Sequence, residues 1–385
     1  MEQNSENSAH RELNIELQRQ ISDAEKAIQG GQHVDETSGT RFEFTAEQVA
    51  AARQEMDVDT LGSTRRVPES GQEIEKLPRI IIEIKGQPVE IPNQALASFA
   101  QLLKAKRAIE QHYPELLELL PTGHPWRAAK ETHSLLVGSG APEVFEELRQ
   151  EMTEENFYLL LLMASSHDFG RPLQVQRKNE AAYKGQHHGD FSVELLARWQ
   201  VLENFEPVTQ QIITYSVTHH ADVVTPELAR DAGDLEKIEY FYTSALRDLD
   251  KIGVFKGKTE LYLFDQDEKN KQNTLGGFDG EQNSIQPPEL LTEFTEGHMI
   301  DRKKCRSYEA YMLQFLAWMF DLNLKDSLHA VVQSGAVGKL LHYFERQLPG
   351  TEFQVIRQKT ENYLRSHGVA YPVDIVNTKL KTSDS

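Results

Sequence analysis

Side chains able to ligate a metal recur through the middle of the chain: His133, the pair His167-Asp168, the pair His187-His188, the pair His219-His220, then Asp248 and Asp250. Imidazoles mixed with carboxylates suit a divalent transition metal. A carboxylate such as Asp168 can bridge two cations, and two metals about 3.5–4 Å apart can activate a water and clamp a phosphate. Helical geometry restricts which of these residues can act together. His167 and Asp168 are neighbours, so on a helix they point about 100° apart. Both reach one site only if it lies against the helix end, where Gly170 and Pro172 put them. Asp248 and Asp250 diverge by about 200° and cannot easily share one centre. His219 and His220 cannot point the same way either, so one of them is a candidate for a supporting role rather than a ligand.

Plainer readings exist for each of these residues. His167-Asp168 alone could be a C-terminal histidine beside a capping aspartate. His187 reads more naturally as exposed than as ligating, and His188 could be a surface histidine. Arg171 could simply pair with an acidic neighbour. His124, His298, His329, His342 and His367 read as surface or core histidines.

The elements that must position these groups are mostly helical. Apolar residues at spacings of three and four predict a helix over Ala95–Leu120, ended by Pro121-Thr122-Gly123. A helix through His133 follows Pro125. Thr153 can cap the next helix, which runs through the apolar segment Phe157–Ala164. Further helices are expected over His188–Gln200, Val208–His219, Leu235–Ile252, Tyr308–Phe320, Leu328–Gln347 and Phe353–His367. The run Tyr311–Phe320 is apolar all round but too short to span a bilayer, so it reads as a core helix. Arg79–Ile91 differs: β-branched residues flank Lys85-Gly86-Gln87, which reads as a small hairpin serving as a lid or dimer element. Lys256–Pro288, rich in Gly, Asn, Gln and Asp, reads as a loop or flap with room for a short hairpin at Glu260–Phe264.

Composition bounds the function. The 385 residues carry 41 Lys plus Arg against 60 Asp plus Glu, a net charge of −19. That charge disfavours non-specific attachment to nucleic acid or to an anionic membrane. A small anionic substrate stays compatible with it, because a bound cation inverts the local field. The single cysteine, Cys305, allows neither an intramolecular disulfide nor a cysteine-based zinc site. No apolar stretch reaches the roughly 18 residues of a membrane span, and the polar N-terminus lacks the features of a secretory signal, so the expected location is cytoplasmic. Residues 1–76, with two helix-like pieces at Leu13–Ile28 and Ala46–Met56, read as a weakly folded acidic arm. It is either a flexible tail or a carrier of segments that bind a protein partner.

The motifs resemble a known family. Ala164-Ser165-Ser166-His167-Asp168-Phe169-Gly170-Arg171 resembles the HD superfamily signature, an apolar helix ending in His-Asp-x-Gly-Lys/Arg. Glu131-Thr132-His133-Ser134-Leu135-Leu136-Val137 resembles the family's first helix, and Leu246-Arg247-Asp248-Leu249-Asp250-Lys251-Ile252 its last motif. His188-Gly189-Asp190-Phe191-Ser192-Val193-Glu194-Leu195-Leu196 is similar to the His-x-x-x-Gly-x-x-Leu-Leu motif of the larger-site branch, with Ser192 where glycine is usual. His219-His220 is similar to that branch's paired histidines, but Ala221-Asp222-Val223 follows in place of a GYP triplet. That departure argues against a cyclic-di-GMP phosphodiesterase of the HD-GYP type. The resemblance covers roughly residues 127–255.

What the resemblance implies is an all-α HD-domain bundle over 127–255, preceded by the hairpin and leading helix (77–126) and followed by the loop (256–290) and a C-terminal helical extension (291–385). Trp318-Met319-Phe320-Asp321-Leu322-Asn323 is the extension's most distinctive run. The implied metal ligands are His133, His167, Asp168, His188, His219, His220 and Asp250, with Asp248 a supporting or surface residue. The implied cofactor is one or two divalent ions: Mn, Fe, Mg, Co, Ni or Zn. The implied activity is hydrolysis of a phosphomonoester or phosphodiester, with a nucleotide as the expected substrate. Asp168 and Arg171 are the implied catalytic residues; Arg171 and Lys184 are the basic candidates for the substrate phosphate. The alternatives are a metal-binding signalling or scaffold protein with little turnover, and a di-iron oxygenase of the same superfamily.

Overall fold

The computed structural model describes residues 44–50, 52, 78–119, 137, 144–177, 186–222, 226–264 and 283–370. His133, Lys184 and most of the acidic arm lie outside these residues. The described part is mostly helical with one two-stranded sheet.

Strands β1 (Arg79–Ile84) and β2 (Gln87–Pro92) pair antiparallel, with Ile84 opposite Gln87. The two turn residues, Lys85 and Gly86, have φ of 51° and 73°. Both are left-handed, as the tightest hairpin turns require. Ile82, Ile84, Val89 and Ile91 face the core, while Ile81 is 65% exposed. The hairpin is fastened at both ends. At one end Arg79 forms two hydrogen bonds to Asp234, at 2.6 and 3.2 Å. At the other the Lys85 N–H donates to the Asn323 carbonyl at 2.7 Å. Strand β2 packs on α7 (Asp234–Phe264) of its own chain.

Helix α1 (Phe99–Glu118) begins later than the periodicity predicts. Ser98 caps it through a reciprocal box with Gln101. The residues before it form a bent segment held by Asn156, which accepts from the Leu96 N–H and donates to the Gln94 carbonyl. After the short α2 (Glu146–Glu151), Thr153 caps α3 (Glu154–Ser166) as expected. Every α3 residue from Asn156 to Ser166 is buried. Ser165 and Ser166 satisfy their hydroxyls on the carbonyls of Leu161 and Leu162 in their own helix. Then come α4 (Gly170–Arg177), α5 (His188–Arg198) and α6 (Pro207–His219).

Helix α7 (Asp234–Phe264) is the spine. It packs against α3, α6 and β2, and also against the extension helices α10 (Lys325–Gln333) and α11 (Ala336–Gln347). Two expectations are corrected here. The helix runs through Gly253, and Glu260–Phe264 belongs to it rather than to a hairpin in a loop. One interior glycine costs only about 1 kcal/mol, which the packing of a 31-residue helix readily offsets.

The extension adds α8 (Glu289–Glu296), α9 (Tyr308–Ala317), α10, α11 and α12 (Gly350–Ser366). The helix expected over Tyr308–Phe320 tightens into a 3-10 turn at Trp318–Asp321. The one expected over Leu328–Gln347 breaks at Gly335, whose φ of 75° ends α10 and starts α11. Among the described residues, no helix is long and apolar enough to cross a membrane.

Buried charge joins the spine to the extension. Arg247 Nη2 and Lys251 Nζ each lie 2.8 Å from Asp321 Oδ2. Asp248, expected as a supporting or surface residue, is fully buried. It accepts from the backbone N–H groups of Asn323 and Leu324 and from the Asn323 amide, at 2.7–2.9 Å. Its carboxylate thus sits just ahead of the α10 N-terminus, where an anion is favoured. Removing it strands buried donors, each worth about 1–3 kcal/mol. Asp248→Ala should therefore lose at least about 2–3 kcal/mol in urea denaturation; a loss below about 1 kcal/mol would contradict this anchoring.

Burial pushes the Asp321 carboxyl up, but Lys251 and Arg247 outweigh it and hold it below the usual aspartate range. A depressed folded value means stability that is present above the unfolded pKa, about 3.9, and is lost as pH falls through the folded one. The stability gap between wild type and Asp321→Asn should hold near neutral pH and close below about pH 4. A gap independent of pH down to acid unfolding would rule out this pairing.

Candidate metal centre

The centre is assembled from four helix positions. Helix α3 runs apolar to its end, and its C-cap is His167, followed by Asp168. His188 is the first residue of α5. His220 caps the C-terminus of α6. Asp250 comes from the middle of α7. The ligand atoms form two overlapping sets, His167–His220–Asp250 and Asp168–His188–His220. Within each set they all lie within 4.8 Å of one another.

Two close approaches bring these helix ends together. A Cβ on Gly170 would overlap the backbone of His188 and Ser192. A Cβ on Gly189 would come within 2.6 Å of the Val217 and Thr218 carbonyls. Glycine at both places lets α4, α5 and α6 touch through their backbones. Ser192, the departure from the resembled motif, stitches this contact. Its hydroxyl accepts from the Gly170 N–H at 2.8 Å and lies 2.6 Å from the His167 carbonyl to which it can donate.

Hydrogen bonds fix the imidazole tautomers. His167 Nδ1–H donates to the Ala164 carbonyl at 2.7 Å, and His220 Nδ1–H to the Val217 carbonyl at 2.6 Å. Each ring then presents its Nε2 lone pair inward. His220 Nε2 meets His188 Nε2 at 3.0 Å. His167 Nε2 lies 3.5 Å from Asp250 Oδ1 and 3.9 Å from Asp168 Oδ2. Asp168 faces both ways: its other oxygen is 3.3 Å from His188 Nε2 and 3.0 Å from Arg171 Nε.

The electrostatics follow from this crowding. Burial depresses the His167 pKa, but the Asp168 charge and the contact with Asp250 outweigh it, so the net direction is up. His220 goes the other way: burial first, then the neighbouring His167 charge, push it down to about 3. The donor set, imidazole nitrogens with two carboxylates, fits a divalent transition cation.

Other expected residues lie elsewhere. His219 belongs to neither set among the described residues, so of the pair His219-His220 it is the one outside the cluster. One residue of helix is a turn of about 100°, and with His220 aimed inward His219 swings outward. There its Nδ1 bonds Asp222 Oδ2 at 2.7 Å and its ring lies against Tyr215. His187 is half-exposed and caps α5, accepting from the Gly189 N–H. Asp248 points to the opposite side of α7 from Asp250. Arg171 pairs with Asp168 yet keeps 28% of its side chain exposed, so a phosphate could still reach it. Burial pushes the Cys305 thiol up to about 11, which keeps it unreactive. Sequence reasoning missed Ser192 as a clamp and Asp222 as a shared partner of His187 and His219. Only the departure from the resembled motif marked either position.

Gly170→Ala should force α4 from α5 and lose more stability in urea than Ser192→Ala, which strands one N–H at a cost of about 1–3 kcal/mol. Equal, small effects would contradict the close approach. The chain matches no protein-family model, no curated protein and no solved structure.

Proposed function

We propose that the chain is a metal-dependent phosphohydrolase of the HD superfamily, acting on a phosphomonoester or phosphodiester, with a nucleotide as the substrate class. One observation carries this reading. His167, Asp168, His188, His220 and Asp250, scattered over more than 80 residues of sequence, turn their ligand atoms toward one buried place. Two carboxylates and three inward-facing imidazoles there are a donor set suited to a divalent cation, with Arg171 paired to Asp168 at its edge.

His167, His220 and Asp250 would hold one cation; Asp168 and His188 would hold a second or complete the first. The two oxygens of Asp168 lie 3.3 Å from His188 Nε2 and 3.9 Å from His167 Nε2, so its carboxylate adjoins both sets. A bound divalent cation supplies an activated water at neutral pH and offsets charge on the phosphate. The chain's residues do the rest. The Ala164 and Val217 carbonyls hold the imidazole tautomers, and Arg171, braced on Asp168, offers guanidinium donors to a phosphate oxygen. A small phosphorylated substrate suits a chain whose net charge of −19 repels polyanions.

The test is metal content of the purified chain, followed by hydrolysis of p-nitrophenyl phosphate esters and a nucleotide panel with Mn. The expected result is bound metal and turnover that a chelator abolishes and Mn restores. Asp168→Ala should lower turnover by more than about 100-fold. A chain that takes up no divalent metal would refute the proposal. Metal without turnover across the panel would favour a signalling or scaffold role, and two irons with oxygen-dependent activity an oxygenase.

A further inference from the structure

Resting on the metal-centre reading above, we infer that Asp321, in the C-terminal extension, is a positioning residue for that centre, acting on two of its ligands through Arg247 and Lys251. Asp321 is 5% exposed and receives both cations on one oxygen. Each cation adjoins a ligand. Arg247 Nη1 sits against the carbonyls at the end of α6: 3.0 Å from His220 O, 2.6 Å from Asp222 O and 3.4 Å from His219 O. These are terminal carbonyls without an intrahelical partner, and a cation is favoured there. His220, whose Nε2 belongs to both ligand sets, is the residue so held. Lys251 directly follows Asp250 on α7, so pinning its ammonium on Asp321 fixes the rotation of that turn.

Asp321 is itself placed with precision. It ends the 3-10 turn Trp318–Asp321, and two residues later Asn323 is locked onto Asp248. The hairpin adds Lys85, whose Nζ lies 3.6 Å from the other Asp321 oxygen. Three cations from two elements thus converge on one buried carboxylate. Buried ion pairs contribute little net stability compared with apolar packing, because desolvation offsets the attraction. Their known benefit at metal sites is orientation: partners behind the ligands commonly set affinity by 10–100-fold. The run Trp318–Asn323 accordingly belongs to the centre's support, although no residue of it reaches a ligand atom in the two sets.

The experiment uses the full chain, stripped of metal and titrated with Co(II), read by its visible spectrum and by competition with a chromophoric chelator at a temperature far below unfolding. Asp321→Asn should weaken Co(II) binding by about 10–100-fold and alter the spectrum. Asp321→Asn combined with Lys251→Met restores the charge balance, so it keeps a folded protein for the measurement if the single variant does not fold. It should show the same weakened binding. Leu340→Ala, a buried substitution in α11, serves as a destabilised control and should bind like wild type. Wild-type affinity and spectrum in both Asp321 variants would overturn the inference while leaving the metal centre standing. Equal weakening in Leu340→Ala would overturn it too, by showing a general loss of order. A wild-type chain that binds no Co(II) would remove the metal centre itself and this inference with it.

Discussion

Three imidazoles and two carboxylates crowd into one largely buried place in this molecule, and the surrounding helix ends are arranged around that crowding. His167 and His220 cannot relieve it by rotating, because each ring is tied by Nδ1 to a carbonyl of its own helix. Nor does solvent screen it, since His167, Asp168 and His220 are nearly inaccessible. Electron-rich groups held together away from water need positive charge between them. The opposite shifts of His167 and His220 express that need in protons: one ring gains affinity for a proton while its neighbour loses it.

The surrounding architecture holds the cluster in place from three sides. Below it, α3 is packed on every face and delivers His167 and Asp168 as a rigid end. Beside it, Gly170 and Gly189 let three helix ends meet through bare backbone, with Ser192 bonded across the seam. Behind it, α7 serves two purposes at once. Asp250 looks into the cluster, and Asp248, about half a revolution away, grips the extension. The extension and the hairpin are therefore parts of the same body as the centre. Their meeting point at residues 321–324 lies on the back of the helix that carries Asp250.

How much of this was legible in the sequence depends on the distance over which each interaction acts. Local features were readable: the Thr153 cap, the placing of His167-Asp168 at a helix end, and the hairpin around Lys85-Gly86. Spacing alone showed that Asp248 and Asp250 diverge, yet it could not say which faced inward, because a helix's rotation is set by its neighbours. The same limit applied to His219 and His220. The run Trp318–Asn323 stood out, but its role depended on Arg247 and Lys251, some 70 residues earlier, and no periodicity encodes a partner that far away. Gly253 and Gly335 illustrate the remaining ambiguity. One glycine is absorbed by a long packed helix and the other breaks one, and only tertiary contacts and φ decide between them.

The central claim is that this cluster is a metal centre, and anomalous diffraction from crystals grown with Mn(II) or Zn(II) tests it most directly. The account predicts an anomalous peak about 2.0–2.3 Å from His167 Nε2, His220 Nε2 and an Asp250 oxygen, with Asp168 and His188 on the same ion or on a second one beside it. A cluster empty of anomalous signal at saturating metal, or a peak confined to His187, His219 and Asp222, would contradict it.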